Sequence, residues 1–540
     1  MRIVFVILSA LLLAGCTGTG PNATGPSADA NAAFARLADD YVGGYLAWRP
    51  GAGTSLGLHQ YDGKVTDFSQ ASRDGELARL KSFEQQLADL DVSRLSKKSA
   101  CDYRVLRGAI EHEVFNFEDG HGLTQNPMTY AGAIDVNIYI KRDFAPLPDR
   151  VHSIISILNQ TSNVMAAARA NLEESLPRPY VETAIDQANG AADFLGTEKD
   201  MRLLQCDEMI TNTPEDLLDR GLVELAKKEK VFNDTAHLID PSKSPADVFK
   251  AIQKEHPTAE SLIPDATKDL ENIRQFVVDH NIVTVPSAVR VQVTETPQYL
   301  RATSFASMDT PGPFETKATE AWYYITPVES NWPPEQKEQW LTAFNYYTMD
   351  IVSIHEAYPG HYVAFLHLNA SDATPVEKIF DSYAFTEGWA HYCEQMLVDE
   401  GYGAVPNAAP GSPEALKAAK YRLAQTDEAL LRICRLCVSI KMHCQGMTVP
   451  EATRFFQDNC YYELGPAHSE AMRGTFDPEY LYYTLGKLEI LKLREDYKQQ
   501  EGANFSLQKF HDALLAHGAP PVRIMREIML KDPASWDKVL

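Results

Sequence analysis

The sequence predicts a mainly α protein: a long helical body with a cleft and a small β element. Three observations carry that expectation. Apolar residues recur at three-to-four spacing through most of the chain, as amphipathic helices require. Strict alternation is confined to a short stretch before residue 330. That stretch leads directly to "SIHEAYPGHYVAF", Ser353 through Phe365, which opens like a zinc-hydrolase helix.

The chain starts with "MRIVFVILSALLLAGC": one basic side chain, then an apolar run too short to span a bilayer. Residues 1–15 read as a secretory signal segment. The small residues before Cys16 resemble a bacterial lipobox, which implies cleavage there and lipid on Cys16. Thr17 in place of Asp resembles the sorting pattern of outer-membrane lipoproteins facing the periplasm. A plain signal peptide with a chance cysteine is the alternative. Residues 16–32 are rich in Gly, Pro, Ser and Asn and are expected to form a flexible tether. No linker or repeat divides 33–540, so that span is expected to be one catalytic unit with two lobes around a cleft. Asp and Glu exceed Lys and Arg by 24. This excess argues against nucleic acid or an anionic membrane surface as partner. Contact with the membrane is expected through the N-terminal lipid only.

Seven cysteines besides Cys16 lie at 101, 206, 393, 434, 437, 444 and 460. An odd number leaves at least one unpaired or bonded outside the chain. Cys434-x-x-Cys437 lacks the second pair of a four-cysteine zinc site. A disulfide and buried thiols both remain open.

Helical periodicity covers 76–90, 149–176 and 266–280. Pro177 and Pro179 are placed to close the second. Val289, Val291 and Val293 alternate within 288–296, a half-buried strand, and 318–327 offers another. The stretch 304–315, "SFASMDTPGPFE", reads as a loop. Residues 333–357 are expected to form one long helix, with Pro333 or Pro334 near its first turn. Further helices are expected at 376–399, 413–444, 448–463 and 478–500.

Within the HE segment, the usual second His, one turn after the first, is replaced by Pro359; the next is His361. Six residues on a regular helix leave the His355 and His361 imidazoles about 120° apart. Pro359 also breaks the hydrogen-bond ladder, and Gly360 relaxes the backbone beside it. The two rings converge only if the "YPG" turn opens. Otherwise the segment is a kinked core helix with scattered histidines. A second segment, "SYAFTEGWAHYCEQM" (382–396), places Glu387 and His391 one turn apart. Two His and one Glu from a neighbouring helix form a known zinc ligand set. Gly388 allows close approach of another helix. Glu394 is placed to orient a ligand His or to be a solvated acid. His391 is an alternative ligand to His361, or it lines the pocket.

These residues resemble the DUF885 family, which is grouped with zincin-like metallopeptidases. H-E-x-x-P-G-H is matched by His355, Glu356, Pro359, Gly360 and His361. F-x-E-G-W-A is matched by Phe385, Glu387, Gly388, Trp389 and Ala390. The likeness extends from about residue 35 to the C-terminus, through 47–69, 435–452 and 469–495. It implies a zincin-like fold, Zn2+ held by His355, His361 and Glu387, Glu356 as general base, and a peptide substrate. The chain departs from the family at Tyr362, where a His is usual, and at Gly474, where an aromatic is typical. Pro478-Glu479-Tyr480 stands near the usual Pro-Gly-Gln-Ala. These changes bear on the substrate pocket.

A developing oxyanion needs a donor besides the metal. Tyr483, His443 and Arg473 are candidates; core packing for Tyr483 and a satisfied buried imidazole for His443 are the alternatives. Arg435, Arg473 and Arg494 have the planar fork that suits a peptide carboxylate, or each forms a structural ion pair. Zincin analogy also suggests that strand 288–296 pairs with an extended peptide. Two other readings stay open: hydrolysis of another amide or ester, and an inactive peptide-binding envelope lipoprotein.

Overall fold

The computed structural model describes residues 27–176, 208–298, 301 and 304–540. Helix α1 spans Ala28–Trp48, so the expected tether ends before Ala32. Ser27 caps this helix by accepting from the Ala30 N–H, and its own N–H donates to the Arg94 carbonyl. The Asn31 side chain accepts from the Ser96 N–H. Polar partners across the fold order a stretch that has no core-forming pattern. Cys16, Cys206, Pro177 and Pro179 lie outside the described residues. The helix before the two prolines, α3 below, ends at Asn171 rather than 176.

Helix α1 packs with the helix Gln70–Ala88 and with α2 (Lys97–Glu118) around Tyr41, Leu80, Leu106 and Ile110. Helix α3 (Leu147–Asn171) packs beside this layer over Phe68 and Tyr130. Helix α4 (Pro214–Ile239) belongs to the larger core. A three-stranded sheet follows, in the order β1 (Gln292–Glu295), β3 (Trp322–Ile325), β2 (Ala306–Asp309). β1 runs parallel to β3, pairing Val293 with Tyr323, and β2 runs antiparallel, pairing Ser307 with Tyr324. β2 lies in the stretch expected to be a loop. Its four residues are all half-buried, and without apolar alternation they carry no strand signal of their own.

The expected helix 333–357 is two helices. Pro334–Ala343 ends at Phe344, whose ring stacks on Phe305 at 3.7 Å. Helix α5 (Tyr346–Glu356) then restarts with Asn345 as its cap, accepting from the Thr348 N–H at 3.1 Å. Helix α6 spans His361–Ala370 and α7 spans Tyr383–Asp399. The expected helix 376–399 is thus broken, with a separate short turn at Pro375–Ile379. Helix α8 (Pro413–Gln445), about 50 Å long at 1.5 Å per residue, lies against α4, α5 and α7. Helix α9 (Leu464–Phe476) and α10 (Tyr482–Glu501) follow, and α11 spans Leu507–Leu515. Pro478–Leu481 form a 3-10 turn ahead of α10, and the helix expected over 448–463 ends at Cys460. Cys101, Cys393, Cys434, Cys437 and Cys460 are buried free thiols, and Cys444 is half-buried. Among the described residues, no helix is long and apolar enough to cross a membrane.

Helices α7 and α10 approach closely at two facing glycines. A Cβ on Gly388 would sit 2.4 Å from the Gly486 carbonyl carbon, and one on Gly486 would sit 1.7 Å from the Ala384 oxygen. Both obstacles are backbone, so neither can rotate away. Gly388→Ala or Gly486→Ala is expected to cost about 1–3 kcal/mol, the scale of overpacking a filled interior. A lower unfolding midpoint would register it; an unchanged midpoint would mean the helices part without cost.

Candidate metal centre

The "YPG" turn does open. Helix α5 stops at Glu356, the Tyr358–Pro359 peptide is cis, and α6 starts at His361. The Gly360 N–H reaches back to the Ile354 carbonyl at 3.0 Å. A Cβ on Gly360 would lie 1.7 Å from the His355 carbonyl oxygen, so only glycine fits this return. The indole N–H of Trp389 donates to the carbonyls of Pro359 and Gly360, at 3.0 and 3.2 Å. Trp389 stands two residues after Glu387 on α7. The second motif therefore clamps the broken turn of the first, which explains why they occur together.

With the turn open, His355 and His361 face each other, ring centroids 4.8 Å apart and nearly perpendicular. Glu387 Oε2 lies 3.2 Å from His355 Nε2 and 3.5 Å from His361 Nε2. One donor atom from each residue falls within 4.8 Å of the others. Tetrahedral zinc ligands at about 2.0–2.2 Å stand roughly 3.3–3.6 Å from one another, which these separations approach. Glu387 Oε2 is buried and accepts no well-formed hydrogen bond. Lone-pair atoms gathered around a point, with one left unsatisfied, fit a divalent cation.

Behind His355 stands a buried polar chain. Its Nδ1–H donates to Glu394 Oε1 at 2.8 Å, and His391 Nδ1–H donates to Glu394 Oε2 at 2.9 Å. His391 Nε2 is left to accept from Lys487 Nζ at 3.3 Å. Arg432 approaches Glu394 at 3.5 Å. Glu394 is fully buried, and its two imidazole partners and Arg432 fill its oxygens. Burial favours the neutral acid, but Arg432 and His391 outweigh it and hold the carboxyl well below its usual range. Burial, then the neighbouring Lys487 charge, push the His391 imidazole down. Burial likewise brings Lys487 down to about 7. For His355, burial alone would lower the imidazole; the neighbouring Glu387 and Glu394 carboxylates prevail and raise it to about 10 in the metal-free protein.

The other expected site residues divide clearly. Glu356 ends α5 directly after His355 and is half-buried. Tyr483 belongs to this centre: its ring lies parallel to His355 at 6.2 Å, and its hydroxyl is 3.4 Å from that of Tyr383. The Arg435 guanidinium stands 5.4 Å from the Tyr483 ring centre, while its fork binds Glu470 through two 2.8 Å bonds. His391 faces Glu394, on the far side of His355 from His361. His443 is not brought to the centre. It sits eight residues, about 12 Å, along α8 from Arg435, and its Nε2 is 2.7 Å from the Gly474 carbonyl. Arg473 pairs with Asp477 and covers Tyr480. Arg494 donates to the Tyr392 hydroxyl, which is 2.8 Å from His511 Nε2. Neither guanidinium contacts the three ligands. Strand β1 packs against the helix Leu262–Asp279, whereas β2 packs against α5. The sequence expectation had paired β1 with the substrate; β2 is the edge strand beside the HE helix.

Sequence reasoning missed Arg432, Lys487 and Tyr383. Each stands three or four residues from a recognised position: Arg432 before Arg435, Lys487 after Tyr483, Tyr383 before Glu387. One-turn spacing on the same helices was the signal that could have found them.

Comparison with known proteins agrees with this architecture. Among curated proteins none matches the sequence. A candidate lipoprotein of unknown function from Shewanella oneidensis superposes with a TM-score of 0.75 at 23% identity, covering 92% of this chain and all of the other. A candidate lipoprotein from Colwellia psychrerythraea gives 0.66 at 18% identity, covering 92% and 98%. At these identities the likeness establishes the fold. The profile of the bacterial family of unknown function DUF885 matches residues 50–208 and 201–529, and the chain belongs to that family.

Proposed function

We propose that the protein is a zinc-dependent hydrolase that cleaves peptide bonds in small or extended peptides. The observation that carries this reading is the convergence of His355, His361 and Glu387 around a buried, unsatisfied carboxylate oxygen. Those three residues would hold Zn2+, which when bound supplies Lewis acidity toward the scissile carbonyl and lowers the pKa of water. Glu356 is placed next to a ligand without being needed as one. Its carboxylate takes the proton of the attacking water and passes it to the leaving amine. The Tyr483 ring lies parallel to that of His355 at 6.2 Å and carries a hydroxyl. Burial and the Glu387 charge push its pKa up, so it stays a donor and can stabilise the oxyanion. The lipobox-like Cys16 and the two neighbours described as candidate lipoproteins support a lipid-anchored envelope protein, in our reading on the outer membrane facing the periplasm.

Elemental analysis is expected to find one zinc per chain, and His361→Ala to lose it. Retention in that variant would move the second ligand to His391. Binding should also release a proton. The imidazole of metal-free His355 is charged below about 10, and a ligand must be neutral. Zinc affinity should therefore rise with pH through the neutral range. Calorimetry in buffers of different ionisation enthalpy reads the proton directly; no buffer dependence would contradict the His355 assignment. A peptide library read by mass spectrometry tests the activity. Zinc binding with no cleavage of any peptide would favour another amide or ester substrate, or an inactive binding protein.

A further inference from the structure

A cavity of about 290 Å³ opens beside Tyr383, walled by Tyr45 and Phe380 and lined by Glu113, Asp381 and Glu479. We infer that this cavity is a subsite for a cationic group of the substrate, a lysine or arginine side chain or a peptide's terminal ammonium. The inference rests on the peptidase reading and adds the substrate class. Three observations carry it.

The first is position. Tyr383 lines the cavity, and its hydroxyl is 3.4 Å from that of Tyr483, the ring over His355. It also stands one turn before Glu387 on α7. One tyrosine therefore separates the cavity from the metal ligands. The second is size. Pockets for whole ligands occupy roughly 300–1,000 Å³, so this space suits one side chain or chain end of a peptide whose backbone lies at the metal. The third is charge. Among the described residues no Lys or Arg lines the cavity, and His112 is its one imidazole. Glu113 is already bound to Arg49. Asp381 differs: its carboxylate accepts from the Thr386 hydroxyl at 3.3 Å, and among the described residues no basic side chain pairs with it. It is solvent-exposed, yet burial raises its carboxyl. Asp381 is part of the cavity lining, so the water that reaches it lies within that recess. A carboxylate lacking a counterion inside an aromatic-walled recess selects for a cation, which also gains from the ring faces. Glu479 adds a carboxyl at one of the positions where this chain departs from its family's usual sequence.

The test compares cleavage of peptides carrying Lys or Arg with isosteres carrying norleucine or citrulline, each with a free and an acetylated N-terminus. The cationic peptides are expected to be favoured by about 10- to 100-fold in kcat/KM, the scale of one charge-assisted hydrogen bond. A preference that follows the side chain identifies that source; one that follows the free N-terminus identifies the ammonium. Asp381→Asn, nearly isosteric, should collapse the preference, and Asp381→Lys should reverse it toward neutral or acidic peptides. Cleavage without preference, or a preference that survives Asp381→Asn, overturns the subsite and leaves the peptidase standing. Binding of arginine amide against citrulline amide is measured alongside. If no peptide is cleaved, the peptidase reading fails and that comparison decides the subsite. Tighter arginine amide binding that Asp381→Asn abolishes supports it, and equal binding overturns it.

Discussion

Glu356→Gln is expected to keep zinc and fold while losing peptide hydrolysis by roughly 10²-fold or more, the scale of positioned acid–base catalysis. The substitution preserves shape and removes only the ability to accept a proton. Glu356 is the last residue of α5 and is half-buried, so the near-isosteric change leaves no buried gap. The three lone-pair donors come from other residues, so the metal shell remains whole. Elemental analysis and hydrolysis of a mixed peptide library, run on both proteins, separate the two effects. Equal cleavage would remove Glu356 from the chemistry and point to a contaminating enzyme. Loss of zinc together with activity would make Glu356 part of the metal shell instead.

The candidate ligands are legible because their spacing is chemical. His355-Glu356 and Glu387 with Gly388 need particular residue types, and those types stand in the sequence. Convergence of the two histidines was not legible from local periodicity. Pro359 reads locally as a helix breaker, and the return of the chain depends on Gly360 passing too close to the His355 carbonyl for any Cβ to fit and on Trp389 from another helix. The break at Asn345 was hidden for a similar reason. Asn is tolerated within helices, and only the stacking of Phe344 on Phe305 makes it a cap. β2 exists because β3 offers it an edge, which no local pattern records. The late arginines leave substrate contact and structural ion pair both open in the sequence, because a guanidinium looks alike there whether it faces a ligand or, as for Arg435, a half-buried Glu470.

Glu394 is expected to matter more than any residue outside the metal shell, through both stability and zinc affinity. Among the described residues it is the one carboxylate touching both His355 and His391, with Arg432 beside it and Lys487 at the far nitrogen of His391. Glu394→Leu would leave Arg432 with Glu428 alone and would strip the buried His355, His391 and Lys487 chain of its carboxylate. Breaking a buried ion pair from one side costs about 3–5 kcal/mol, a loss to be read from denaturant unfolding of the chelated, metal-free protein. Glu394→Gln isolates the second effect. An amide has one acceptor oxygen for two N–H donors, so either His355 or His391 loses its partner. If it is His355, the tautomer that aims Nε2 at the metal is no longer fixed, and zinc affinity should fall about 10- to 100-fold in a competition titration. Lys487→Met tests the same chain one step further out. It frees His391 Nε2 and should weaken zinc less than Glu394→Gln, because His391 acts on His355 only through Glu394. Wild-type affinity in Glu394→Gln would show that the turn clamped by Trp389 alone aims His355. A larger loss in Lys487→Met than in Glu394→Gln would reverse the order of dependence and place the controlling charge on the lysine.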